Sequence, residues 1–535
     1  MGVAADLDIA ASSRTGTASR MLALLVSAGF VAVVIGWTLG TPLGTGPDEA
    51  SHFNRALAVG HGEFDGHAVP LPRSHHGRLY WFLLTTRTFN TPGILAEREN
   101  QPCEAFRPTH PATCPPEPQP AATPARSSNA TYQPYVLLPV GLVADTAPDR
   151  VAAFRLARLT SAVMCLALLA LGASAALARA NGGRLTMLAG LVVALPPMSI
   201  FLFSVVNTNS SETAAGICFA AGLVGLTRSP RSSVAWWAAV VGGVILGLAR
   251  SLGPYWLAFG LLIFVADLGI FGLRTLPMRR AAIVGATLAA AALACAWWQA
   301  TRQPQVPMTV RETMHNLPQA LSEWAIMLRQ TVGVFGWSDT RMPTVVYVVS
   351  WFIAIAVGIS ALIVGSARER VVLTVGSVGL LLASIVISAG VLHVEGFAMQ
   401  ARYMLPPAAL LPLYSAEILR RHRVEARQLG RHLLLAVVLI GAAVQMTAWW
   451  TNARRYAVGT DGPINFLTHS QWHPILGWAP WLLTVALGAA ALIAAAFLAL
   501  VQDRLPEEAE AEFVDDRLVI ALSRDQRRQR TRHRA

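Results

Sequence analysis

Apolar runs of about twenty residues, long enough to cross the ~30 Å hydrocarbon core of a bilayer as α-helices, recur along this chain between short polar breaks. They predict spans over 21–40, 152–178, 185–204, 213–227, 234–249, 254–273, 281–300, 343–364, 371–392, 403–419, 433–450 and 481–501. Several are rich in Ala and Gly, which lets membrane helices approach closely. Arg14 and Arg20 precede the first run. That run is too long for a signal peptide and no small-residue cleavage site closes it, so it reads as an anchor. No internal repeat of fixed short period is present.

Residues 132–144 (YQPYVLLPVGLVA) are apolar but short, and Pro134 and Pro139 interrupt them. Arginine placement decides their side, because short cytoplasmic loops collect positive charge. If 132–144 does not span, Arg179/Arg184, Arg228/Arg231, Arg274/Arg279/Arg280, Arg368/Arg370 and the run from Arg420 to Arg431 all fall inside. The opposite short loops then keep only Arg250 and Arg402. If it does span, the bias inverts. The segment is therefore expected to be an interfacial helix on the outer side, giving twelve spans and two cytoplasmic termini in a plasma-membrane protein.

Composition agrees with this class. The 535 residues are 54% hydrophobic and 13% charged, with a mean hydropathy of +0.48, whereas an ordinary soluble domain is about 25% charged. All 42 basic residues are Arg. The absence of Lys excludes Schiff-base chemistry and any P-loop, and the net charge of +12 is mostly inner-loop charge rather than a nucleic-acid footprint. No HExxH, CxxC, GxSxG or strand–helix GxGxxG occurs. The chain divides into an N-terminal cytoplasmic tail (1–20), a transmembrane module (21–501) and a charged cytoplasmic tail (502–535). Outer segments are 41–151, 301–342 and 451–480. The first holds Cys103 and Cys114, which read as a disulfide in an oxidising compartment or as two free thiols. Cys165, Cys218 and Cys295 lie in apolar helices and read as packing residues.

The informative polar residues are the misplaced ones. After the first span comes GTGPDEASHFNRALAVG. Pro47 suits a first helical turn, with Asp48 and Glu49 near its positive end. Helical spacing then puts Asp48, His52 and Arg55 on one face and Phe53 and Leu57 on another. Arg250 and Arg402 sit at outer ends of spans, where a charge must be solvated, snorkel or find a partner. His393 and Glu395 precede Arg402 in the same outer turn. One reading is a local Glu395–Arg402 pair; the other is an anion site for a lipid phosphate, to which the guanidinium fork is matched. Asn207, Asn209 and Glu212 lie in a short turn where Ser210 or Ser211 is expected to cap the next helix. Trp449, Trp450, Trp472, Trp478 and Trp481 read first as interfacial belt residues, and His75 and His76 as surface residues.

These residues resemble the GT-C superfamily of membrane glycosyltransferases, which use polyprenyl-phosphate-linked sugars on the outer face and carry an acidic motif in the first outer loop. PDEASHF at 47–53 matches that motif, and TYQPYVLLP at 131–139 the Pro-aromatic segment before the second span. More narrowly, PDEASHFNRA, VVNTNSSE, LARSLGP, VFGWSDTRMP and QARYMLP, in that order over residues 40–410, are similar to a bacterial, actinobacterium-like branch. Ala401 stands where that branch has Gly. The resemblance implies an all-α polytopic fold, GT-C-like, with interfacial helices in the first outer loop, and inverting transfer to a cell-envelope glycan or glycolipid. It implies Asp48 as the base, assisted by Glu49; His52, Arg55, His393, Glu395 and Tyr403 as substrate-binding; and Arg250 and Arg402 on the departing phosphate. No cofactor is called for, and the one tight acidic pair favours a metal-independent reaction. The partners would be the donor lipid, the acceptor and membrane lipid, with no nucleic acid. The alternatives are a lipid-linked glycan transporter or flippase, and a non-catalytic scaffold of envelope assembly.

Overall fold

The computed structural model of the protein describes residues 2–73, 77–90, 102–113, 124–180, 182–305, 308–396 and 399–503, without the side chains of residues 2–19, His393 and Glu395. Helix α1 (Gly2–Gly40) contains the anchor. The first loop then carries α2 (Glu49–Gly60), β1 (His67–Ala68), α3 (Arg78–Thr85), β2 (Arg87–Phe89), β3 (Ala125–Ser127) and α4 (Leu138–Ala144). The bundle continues through α5 (Arg150–Leu177), α6 (Arg184–Ala194), α7 (Pro197–Phe203), α8 (Thr208–Arg228), α9 (Ser233–Ala249), α10 (Gly253–Leu273) and α11 (Met278–Arg302). After α12 (Val310–Val332) and the hairpin β4 (Val334–Phe335)–β5 (Thr340–Arg341) come α13 (Thr344–Val364) and α14 (Ala367–Glu395). A 3₁₀ turn (Ala401–Tyr403) leads into α15 (Leu405–Ala408), α16 (Leu410–Arg421) and α17 (Gln428–Val458), and α18 is Trp478–Asp503. The first three strands form an antiparallel sheet in the order β1-β2-β3, with His67 opposite Thr88 and Thr88 opposite Arg126.

Helices lie at all twelve expected positions, but among the described residues only eight are long and apolar enough to cross a membrane by themselves: α1 from Arg20, α5, α10, α11, α13, α14, α17 and α18. The pair α6–α7 would be a ninth, bent by 69° at Leu195–Pro196. The other three depart for physical reasons. Helix α8 opens on polar residues and is buried along nearly its whole length, so it needs little lipid-facing apolar surface. Helix α9 has 17 residues. The 403–419 segment is divided near Pro406 and Pro407, where prolines remove backbone donors. Small residues hold α8 against α9: a Cβ on Gly242 would lie 2.5 Å from the Phe219 nitrogen.

Residues 132–144 do not form a span. They fold into turns and the seven-residue α4, whose Val140 joins Leu137, Phe53, Leu57 and Phe154 in a separate small core. The predicted apolar face of α2 thus packs on this core, and its polar face is buried as well. Gly141 and Gly60 let α4 and α2 cross in backbone contact, and a Cβ on Gly141 would stand 1.9 Å from the Ala56 carbonyl oxygen.

The end of the bundle away from the first loop gathers charge that the sequence pattern leaves unexplained. Arg421 reaches Asp267, Glu369 and Glu417, and Arg228 and Arg420 also pair with Glu417. Glu417 and Asp267 lie within helices, and the arginines at the ends of α8 and α16 neutralise them rather than facing water alone. Near the other end, α17 extends beyond its expected span, and Arg455 on that extension donates to the carbonyls of Glu104 and His110 and to Asp339. Cys103 on the segment so held is disulfide-bonded, as expected; its expected partner Cys114 lies outside the described residues. Cys165, Cys218 and Cys295 are free and buried.

Gly141→Ala should force the α2–α4 contact apart and cost roughly 1–3 kcal/mol, as overpacking does. Reaction of the three buried thiols with a maleimide dye during heating in detergent should show a lower midpoint. An unchanged midpoint would mean the two helices do not depend on close approach.

Candidate active site

The first acidic residue does not enter the helix that the spacing predicts. Asp48 precedes α2 as its N-cap residue, with left-handed backbone angles (φ 57°, ψ 18°) and no side-chain cap hydrogen bond. A non-glycine residue in this region is costly and persists only where its surroundings over-determine it. Here the surroundings are visible. The Asn207 side chain donates to the Pro47 carbonyl at 2.8 Å, and the Asn207 carboxamide oxygen caps α8 by accepting from the Asn209 amide at 2.9 Å. The α8 cap is thus Asn207, not Ser210 or Ser211.

Glu49, one residue on, has a different environment from that expected of a catalytic acid. It is fully buried, and Arg158 grips it bidentately, at 2.6 Å from Nε and 2.7 Å from Nη2. The carboxylate also accepts from the amides of Gly46 and Val206, while Arg158 donates to the carbonyls of Thr41 and Pro42. Both oxygens are occupied, by Arg158 and by backbone amides, and the side chain is enclosed. Arg158 was not singled out by the sequence. Its signal was available: Arg158 lies deeper than Arg155 inside the apolar run 152–178, where an arginine needs a partner.

Asp48 is turned away from this clamp. Its side chain is 39% exposed, yet Oδ2 lies 2.6 Å from Nη2 of Arg402, whose side chain is only 3% exposed. Arg402 also donates to the Tyr403 hydroxyl at 3.3 Å, and its Nε and Nη1 have no hydrogen-bond partner among the described residues. Arg250 lies over the same Tyr403 ring, 4.3 Å from its centroid, and over Tyr132 at 5.1 Å. The two arginines that break the charge pattern therefore converge on one aromatic ring. Burial works to raise the Asp48 pKa, but Arg402 and Arg250 outweigh it and hold the carboxyl below its usual range. Burial also works against the charge on Arg402, but Tyr403 and Asp48 keep it protonated.

His52 sits beside this group with its ring 5.9 Å from Tyr132, and its Nδ1 has no partner among the described residues. Burial pushes the imidazole down to about 3, with Arg250 and Arg402 opposing the attraction of Asp48, so the ring is neutral near pH 7. Arg55 does not join the site. It is buried against the Phe89 ring and donates to the carbonyls of Phe64 and Tyr132, fastening the first loop to the Pro-aromatic segment. The side chains of His393 and Glu395, and all of His75 and His76, lie outside the described residues. The tryptophans read as a belt pack mostly on one another and on Phe466: Trp449, Trp472 and Phe466 all surround Trp478. No group of three or more His, Cys, Asp or Glu among the described residues is arranged to hold a metal.

An apolar cavity of about 480 Å³ opens between α12, α13, α14 and α16. Ala401 and Met404, which flank Arg402 and Tyr403, belong to its lining together with Trp324, Leu380, Ile359 and Leu411. The cationic turn and the apolar cavity are therefore contiguous through four consecutive residues.

The chain matches the family described as "Predicted membrane protein (DUF2142)" over residues 30–411. None of the curated proteins compared with it matches. Among solved structures it is similar to ArnT from Cupriavidus metallidurans bound to undecaprenyl phosphate, at 12% identity and a TM-score of 0.42. It is also similar to that protein in the apo state, at 14% and 0.37; each comparison covers 90% of this chain and 76% of the other.

Glu49→Gln should destabilise by about 3–5 kcal/mol, because removing one partner strands the other's charge in the interior; thermal unfolding in detergent measures this. The His52 environment gives a pH signature. Between about pH 6.5 and 3 the unfolded chain takes up a proton at this position while the folded chain does not, so stability falls as pH is lowered through that window. The slope of the thermal midpoint from pH 6.5 to 4 should be shallower in His52→Gln. An identical slope would mean His52 does not titrate as its burial requires.

Proposed function

The chain belongs to the DUF2142 family of predicted membrane proteins, and we propose that it is an integral membrane glycosyltransferase. It moves a sugar from a polyprenyl-phosphate donor to a cell-envelope glycan or glycolipid on the outer face of the plasma membrane. The observation that carries this reading is the junction at Ala401–Met404. There, a half-exposed carboxylate, two guanidinium groups and an open apolar cavity meet. A polyprenyl phosphate has the matching form, a single anionic head on a long apolar tail. The order of the five motifs supports the same class.

The chemistry follows from the unused capacity of these groups. The lipid phosphate takes the Nε and Nη1 donors of Arg402 that have no partner, and the tail lies in the cavity. A phosphate on Arg402 competes with Asp48 for its charge. That lets the depressed carboxyl pKa rise, so Asp48 becomes a better proton acceptor when the donor is bound. Asp48 removes the proton of the acceptor hydroxyl, and the hydroxyl oxygen forms a bond to the anomeric carbon. The bond from that carbon to the phosphate oxygen breaks, and its electron pair leaves on the phosphate, where Arg402 and Arg250 stabilise it. One displacement with one carboxylate inverts the anomeric centre. Glu49 takes no proton in this scheme; with Arg158 it holds Asp48 in place.

A transporter reading is less well supported. Two of the charge groups within helices are closed sets, Arg158 with Glu49 and Arg421 with Asp267 and Glu417, where a transport path needs charges open along the membrane.

Asp48→Asn should lower sugar transfer by about 10²–10⁴-fold while leaving binding of undecaprenyl phosphate within a few-fold, as removal of a general base does. Arg402→Gln should weaken lipid-phosphate binding itself. Reconstituted liposomes with radiolabelled donor lipids test both, and undiminished transfer by Asp48→Asn would refute the assignment.

A further inference from the structure

The first turn of α8 presents buried polar atoms that nothing in the protein satisfies. Glu212 is 1% exposed and Asn209 also 1%. The Asn209 side-chain Nδ2 donates to Glu212 Oε2 at 3.4 Å, but Glu212 Oε1, the Asn209 carboxamide oxygen and the Thr208 hydroxyl have no hydrogen-bond partner among the described residues. A buried polar atom left unpaired is costly, and more so when charged. Three on consecutive faces of one turn call for a group to fill them.

Their position narrows what that group is. Glu212 lies one helical turn from Gly216, and residues four apart share a helix face. Gly216 packs directly on Pro406, where a Cβ would meet the Pro406 Cα at 2.8 Å. This face of α8 is therefore turned towards the segment that begins with Arg402 and Tyr403. Arg250 acts electrostatically on Glu212 as it does on Asp48 and His52. The same turn is tied to the acidic motif by the Asn207–Pro47 hydrogen bond. The unpaired atoms thus adjoin the cationic turn on the α8 side, with Arg250 between Glu212 and Asp48 in charge.

Resting on the reading given above, we infer that Glu212 and Asn209 form the subsite for the sugar of the donor lipid and read its hydroxyl groups. The unpaired Asn209 oxygen needs a donor, and the unpaired Glu212 oxygen needs a donor when ionised and an acceptor when protonated; sugar hydroxyls, which donate and accept, supply both in adjacent pairs. Burial pushes the Glu212 carboxyl up to about 7 against the pull of Arg250, so it carries little charge to attract a cation, which favours a neutral polyhydroxylated pentose or hexose over a cationic amino sugar. Glu212 is a specificity-determining residue in this scheme, distinct from the proton-accepting Asp48.

The test compares lipids that share the phosphate and differ in the sugar. Binding of undecaprenyl phosphate and of undecaprenyl phosphate carrying arabinose, mannose or glucose is measured in nanodiscs by native mass spectrometry. The full-length protein is compared with Glu212→Gln and Asn209→Ala. The wild type should hold at least one glycosylated lipid about tenfold tighter than the bare phosphate, the scale of a charge-assisted hydrogen bond. Glu212→Gln should erase that preference and leave the bare lipid unchanged, with Asn209→Ala reducing it. A preference that survives in both variants, or a wild type that binds all four lipids alike, overturns the subsite. A wild type that binds none of them, bare phosphate included, overturns the glycosyltransferase reading and the subsite with it.

Discussion

The Glu49–Arg158 pair is the interaction on which the rest of the loop-bearing end depends. Two opposite charges with no exposure are expensive to bury, and attraction repays that cost only with good geometry and further hydrogen bonds. Both conditions hold: the contact is bidentate, and the remaining donors and acceptors go to backbone groups at the end of α1, before α2, and in the turn between α7 and α8. Four chain segments are fixed at one point inside a helical bundle. With Glu49 locked, the residue before it has little choice of direction, and Asp48 takes a left-handed conformation that carries its carboxylate outward to Arg402. The strain at Asp48 and the burial of Glu49 are two sides of one arrangement.

The second organising feature is the use of arginine alone. A guanidinium keeps its charge when buried, so the protein manages positive charge by partnering rather than by deprotonation. At one end of the bundle, Arg228, Arg420 and Arg421 close on Glu417, Asp267 and Glu369, and the charge is internal. At the other end Arg402 has more donors than its partners use, and Arg250 is held largely by aromatic faces. Identical side chains make a structural knot in one place and an anion-receptive surface in the other.

Much of this was legible in the sequence. The apolar runs lie on helices throughout, the arginine bias removed a span at 132–144 that the structure also lacks, and the two arginines singled out as exceptions meet at Tyr403. What escaped the sequence was set by tertiary contact. Helical spacing placed Asp48 on a face with His52 and Arg55, but Asp48 is left-handed and the helix starts only after it, at Glu49, and Arg55 turned instead to loop carbonyls. Two adjacent acids look alike in a string; only the arginine of a distant helix separates a buried clamp from a half-exposed carboxylate. The buried polar turn of α8 is similar. Asn, Ser and Thr before a helix suggest a cap, and the cap is there, but nothing in the string says that Glu212 beyond it is enclosed with one oxygen left without a partner among the described residues.

Tyr403 carries a consequence of its own. Its ring already lies under one guanidinium at 4.3 Å and within 5.3 Å of a second, so its electron-rich surface is committed to cations. A sugar cannot use that face as a stacking platform, and is left to be recognised along its rim, by directional contacts. The ring instead works as a shared partner: two like charges draw on one aromatic quadrupole, which offsets part of their mutual repulsion.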